Sequence, residues 1–157
     1  MIVQPQRILW PTDLSDLSLR AGRYAHGLAQ HFGAALHVLH VITPPLNPDV
    51  TLLLPSDVPL QISEPEMRGA AMRSLQSLIE RHLSPSPSLV SEVRFGNPWP
   101  VICDYAKQLQ IELIVVSTHG RTGLGHAIIG STAERIVQHA PCPVLTVKAQ
   151  ERGFLKE

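Results

Sequence analysis

The chain has 157 residues, with 13 Lys plus Arg against 13 Asp plus Glu, so its formal charge is zero. That balance argues against a surface devoted to nucleic acid or to anionic membrane, each of which needs a basic excess. The length suits one domain with one sizeable core, expected over residues 1–157. No run approaches the roughly 18 apolar residues of a membrane span. The start, "MIVQPQRILWPTD", lacks the pattern of an export signal. A cytoplasmic protein with no nucleic-acid or membrane partner is expected.

In chain order, "RILWPT" reads as a short strand, followed by a helix with Asp13, Ser15 or Asp16 as cap and Gly33 as stop. "AALHVLHVI" is a second strand, and a proline-rich stretch from Thr43 to Pro65 follows it. At about twenty residues that connection exceeds most in compact domains, and it reads as a lid, a dimer contact or a flap on its own sheet. "EPEMRGAAMRSLQSLIERHL" is a helix with Met67, Ala71, Leu75, Leu78 and Ile79 on its apolar face. "LVSEVRFG" alternates as a strand, and "NPWPVICDYAKQLQ" starts a helix at Pro98 after Asn97. "IELIVVS" is an unbroken apolar strand, typical of burial on both faces. A glycine-rich loop, the helix "STAERIVQHA" and the strand "CPVLTV" complete the pattern.

Strands alternating with helices imply a parallel sheet joined by right-handed crossovers, here a doubly wound three-layer α/β fold of five strands. Ligands in such sheets bind beyond the carboxyl ends of the strands, where strand order reverses. That directs attention to Pro11, Thr12 and Asp13, to Val41 and Ile42, and to the segment from Ser117 to Gly120.

From Gly125 the loop runs G-H-A-I-I-G-S-T, a phosphate-loop spacing with Ser131 where the lysine belongs. Gly120, Gly123, Gly125 and Gly130 let the backbone approach a ligand closely. Helix-opening amides at Gly130, Ser131 and Thr132 would meet an anion at the positive end of the helix dipole. The competing reading is a crossover with Ser131 as an ordinary N-cap. Arg121 is the single formal cation of the stretch, and His119 and His126 flank the loop. Without the lysine, the loop suits holding a nucleotide better than cleaving it quickly. Asp13 reads either as an acceptor for a ribose hydroxyl or an adenine amino group, or as a helix cap.

A metal reading finds little footing. His37 and His40 point to opposite faces of a strand, and His26 and His31 miss the i, i+4 spacing of a helical pair. Cys103 and Cys142 read as reduced packing residues first and redox sensors second. The last strand, from Val144 through Leu145 and Thr146 to Val147, would invite an antiparallel homodimer if it forms a sheet edge. Otherwise the tail "KAQERGFLKE" would cover it.

Taken together, "RILWPTDLSDLS", "LHVLHVI" and "IELIVVSTHGRTGLGHAIIGSTAERIVQHAPCPVLTVK" resemble the universal stress protein family over about residues 5–148, with 149–157 as a tail. The family's nucleotide motif is G-2x-G-9x-G-[ST]; Gly120, Gly130 and Ser131 match it, while Ser117 replaces the first glycine. The resemblance implies strand order 3-2-1-4-5, homodimers through the last strand, and ATP, ADP or AMP as ligand, with or without Mg²⁺. It implies Asp13 and Val41 at the adenine, and Gly120, Gly130, Ser131 and Thr132 at ribose and phosphates. Pro11, Val116 and Ser117 would line the pocket, to which Thr12, His119, Arg121 and Gly123 are added by their neighbourhood. The leading expectation is a nucleotide-binding stress sensor or regulator without catalytic residues. Its rivals are a slow ATPase or phosphotransfer enzyme and a nucleotide-free dimeric interaction protein.

Overall fold

In the computed structural model, which describes residues 3–43, 63–85, 88–118, 130–148 and 153–154, strands and helices alternate without exception. They run β1 (Arg7–Thr12), α1 (Asp16–Phe32), β2 (Ala35–Ile42), α2 (Glu64–His82), β3 (Leu89–Phe95), α3 (Pro98–Gln108), β4 (Leu113–Ser117), α4 (Ser131–His139) and β5 (Val144–Val147). The sheet order is β3-β2-β1-β4-β5, and each neighbouring pair is parallel, as expected. The stretch 44–62, on which the lid, contact and flap readings fall, lies outside the described residues.

Local chemistry sets the helix limits. Of the three candidate caps for α1, Ser15 takes the role, with extended backbone and a hydroxyl that accepts from the Ser18 N–H. Gly33 closes α1 at φ +66°, the left-handed geometry that glycine adopts without a steric penalty. Ser63 and Glu66 form a capping box at the start of α2.

The period-2 alternation of the strands divides the core into two layers. Ile8, Trp10, Leu36, Val38, Val93 and Val115 pack under α1 and α2, where Met72 joins the expected Ala71, Leu75, Leu78 and Ile79. Leu9, Leu39, Ile114 and Val116 face α3 and α4 and meet Ile102, Tyr105 and Ile136. Trp10 is fully buried, and its indole N–H donates to the Ser18 carbonyl at 3.0 Å. Cys142 packs against the second layer, and burial pushes both the Cys103 and the Cys142 thiol up, which suits packing rather than reactivity.

Proline at position 11 of a central strand has a geometric reason. Main-chain bonds from Ala35 to Gln6 and from Glu112 to Arg7 show that even-numbered residues of β1 bond toward β2 and odd-numbered ones toward β4. Pro11 therefore lacks its N–H on the β4 side, and the paired register of β1 with β4 covers only Ile8 and Leu9. A crevice begins where that pairing stops.

Candidate functional site

The crevice lies at the carboxyl ends of β1 and β4, where strand order reverses. It holds about 380 Å³, inside the roughly 300–1,000 Å³ range of small-molecule sites. Its floor is aliphatic: Leu39 and Val41 from β2, Val116 from β4, Ile102 from α3 and Ile136 from α4.

The polar wall comes from backbone ends. β1 and its exit supply Pro11, Thr12 and Asp13, β4 supplies Ser117, and the start of α4 supplies Gly130, Ser131 and Thr132. The expected residues that are described thus meet at one crevice, except Ile42, which packs against the core layer under α1 and α2; His119, Gly120, Arg121 and Gly123 lie outside the described residues. Thr118, within the strand-end segment already singled out, lines it too, and Ser18, Thr43, Pro98 and Ala133 do so without having been expected there.

Gly130, not Ser131, is the N-cap of α4, with φ −70° and ψ 151°. Its N–H donates to the Thr118 carbonyl, and its own carbonyl accepts from the Glu134 N–H at 2.9 Å. A glycine cap has no side chain to offer the first-turn amides. Ser131, Thr132 and Ala133 therefore bring the positive end of the helix dipole to the crevice. Thr118 is itself held by its N–H to the Val147 carbonyl at 3.0 Å, so the end of β5 braces this turn.

The turn after β1 is equally determined. The Thr12 hydroxyl accepts from the Leu14 N–H at 3.0 Å and from the Ser18 hydroxyl at 2.9 Å. Asp13 Oδ1 accepts from the Ser15 N–H and from the Ser15 hydroxyl. Leu14 sits at φ +66°, a conformation that costs a non-glycine residue about 1–3 kcal/mol and persists where its surroundings over-determine it. Asp13 thus braces the Ser15 cap while lining the crevice.

The universal stress protein family model matches residues 5–148. The chain belongs to the universal stress protein family. It is 30% identical to a universal stress protein of Methanocaldococcus jannaschii, over 94% of this chain and 84% of that one. Among solved structures it is similar to universal stress protein UspA from Lactobacillus plantarum, with 32% identity, a TM-score of 0.72, and 93% and 99% of the two chains covered. A universal stress protein solved in complex with cAMP shares the fold at 19% identity and a TM-score of 0.69, covering 94% of this chain and 100% of that one.

In this family member three of the described histidines, His26, His37 and His40, make side-chain bonds that tie elements together. The buried His26 donates through Nε2 to the Ser84 carbonyl at 3.0 Å, and His40 donates through Nδ1 to the Thr12 carbonyl at 2.8 Å. His37, on the opposite face of β2, bonds through Nδ1 to the Tyr105 hydroxyl at 2.9 Å. Among the described residues no three His, Cys, Asp or Glu side chains form a group that could hold a metal. No described helix is long and apolar enough to cross a membrane.

Tyr105 lies one turn past Ile102, so its bond to His37 ties the crevice-lining helix to β2. Burial first, and the Arg7 charge next, hold the His37 imidazole below its usual 6.5. Burial, then the Glu92 carboxylate, push the Tyr105 phenol up to about 12. A histidine whose pKa is depressed by folding takes up its proton more readily in the unfolded chain, so stability falls as pH falls below 6.5 toward the folded value. Urea midpoints between about pH 7.5 and 5 are accordingly expected to drop more steeply for the native chain than for His37→Gln. Parallel curves would assign the acid sensitivity elsewhere.

Proposed function

We propose that the crevice binds an adenine nucleotide, with the base on the aliphatic floor and the phosphates at the first turn of α4. In this reading Asp13 meets the adenine or ribose at the rim, Val41 lies beneath the base, and Gly130, Ser131 and Thr132 hold phosphate. The observation that carries it is a glycine-capped helix opening onto a crevice with an aliphatic floor. Amides aimed at one end suit an anion, and aliphatic side chains at the other suit a planar base. A fold relative solved in complex with cAMP supports an adenine nucleotide as the ligand class.

Occupancy of this kind fits a stress sensor or regulator. A nucleotide shifts a conformational equilibrium by its differential affinity for the two states. Calorimetric titration with ATP, ADP, AMP and adenosine, with and without Mg²⁺, tests the reading. Saturable heat is expected, with affinity rising as phosphates are added. No heat and no thermal shift at millimolar ATP would contradict it.

We also propose that two copies join edge to edge through β5. This strand ends the sheet, and the bonds of Pro143 and Val147 carbonyls to Ile114 and Thr118 place its odd-numbered residues against β4. The main-chain groups of Val144 and Thr146 therefore point away from the sheet, as an antiparallel partner strand requires. The described tail residue Phe154 packs edge-on against Tyr24 of α1, with ring centres 4.8 Å apart. Thr146→Pro removes an outward N–H and leaves the β4 ladder intact. Sedimentation should report a dimer for the native chain and a monomer with native circular dichroism for the variant. An unchanged dimer would place the interface elsewhere.

A further inference from the structure

Thr12 is the last residue of β1, and its carbonyl belongs to the peptide unit that leads into Asp13. His40 on β2 is its register partner, half-buried, with Nδ1 2.8 Å from that carbonyl oxygen. A carbonyl only accepts, so Nδ1 carries the proton. The same peptide unit lies just before the left-handed Leu14, and the Thr12 hydroxyl already takes two hydrogen bonds. The turn that carries Asp13 is thus held from the α1 side by Ser15 on Asp13 and Ser18 on Thr12, while from β2 the His40 imidazole holds the Thr12 carbonyl.

We propose that His40 is a positioning residue for ligand recognition by Asp13, an inference that rests on the nucleotide reading above. His40 is not among the residues lining the crevice; it acts through the Thr12–Asp13 peptide plane. Its influence is confined to the base-and-ribose end of the ligand. The phosphate end is set by α4, which is anchored separately through Thr118 and β5.

The test compares His40→Leu, which removes the donor, with His40→Asn, whose amide nitrogen stands as many bonds from Cα as Nδ1 does. Adenosine and inorganic tripolyphosphate serve as separate probes of the two ends. Loss of one positioning hydrogen bond is expected to weaken adenosine binding roughly five- to tenfold in His40→Leu. Tripolyphosphate binding should hold, and His40→Asn should restore adenosine binding to within about twofold. In an Asp13→Ala background His40→Leu should cost nothing further, because both changes remove the same contact.

Native adenosine affinity in His40→Leu, equal losses in His40→Leu and His40→Asn, or full additivity with Asp13→Ala would each overturn the inference. So would equal weakening of both probes, the signature of general loosening. A native chain that binds neither probe would overturn the nucleotide reading and this inference with it.

Discussion

Ser131→Pro is expected to weaken ATP binding roughly 10- to 100-fold while leaving the fold in place, the size of one lost charge-assisted hydrogen bond. Proline is favoured at the first helical position, where Ser131 stands. Gly130, at ψ 151°, already has the extended backbone that a residue before proline prefers. The substitution therefore removes one main-chain donor and one hydroxyl at the crevice without disturbing α4. Ser131→Ala separates the two, since it keeps the amide, and its loss should stay within about fivefold. Adenosine, lacking phosphate, should bind both variants as it binds the native chain. Fluorescence or calorimetric titration provides the constants. ATP affinity unchanged in Ser131→Pro would remove the first turn of α4 from the site.

The second large effect concerns the support beneath the crevice. A Cβ at Gly22 would stand 2.4 Å from Trp10 Cζ2, with two more ring carbons at 2.6 Å. The ring has little freedom to yield, because it is fully buried and its N–H is bonded to Ser18. Helix propensity alone would favour Gly22→Ala by about 1 kcal/mol. Overpacking typically costs about 1–3 kcal/mol, occasionally more, and contact this close lies at the upper end. A net destabilisation of about 1–2 kcal/mol is the expected result. Trp10→Ala, which empties the same space, should cost about 3–5 kcal/mol. The pair should be strongly non-additive, since the methyl introduced by Gly22→Ala has nothing to strike once the indole is gone. Denaturant midpoints for the two single variants and the double variant give the coupling. A stabilised Gly22→Ala, or simple additivity, would show that α1 slides off Trp10 at no cost.

The order of elements was readable because each strand differs in period from the helix that follows. "IELIVVS" carries its apolar side chains in an unbroken run, typical of a strand covered on both faces. Strand order itself came with the family resemblance, since periodicity fixes elements and not neighbours. At the site, Pro11, Asp13 and the start of α4 were legible because strand ends and helix starts announce themselves through Pro, Asp and Gly. Ile102 and Ile136 were not. An isoleucine on the inner face of a helix gives the same signal whether it meets a strand or a crevice, and the helix-start Pro98 was the nearest clue. The choice among Asp13, Ser15 and Asp16 as cap needed coordinates too, because all three side chains can accept an amide proton. His40 was placed correctly on the face opposite His37, yet its bond to Thr12 depends on the β1–β2 register, which sequence spacing leaves open.

Amide chemical shifts during a titration of the isotopically labelled chain with ATP report most directly on the central claim. Saturable shifts are predicted at Ser131, Thr132 and Ala133, with smaller ones at Asp13 and Val41, and the α4 shifts should shrink from ATP to AMP. Resonances at α4 that stay still under millimolar ATP, or move only alongside residues remote from the crevice, would contradict the account.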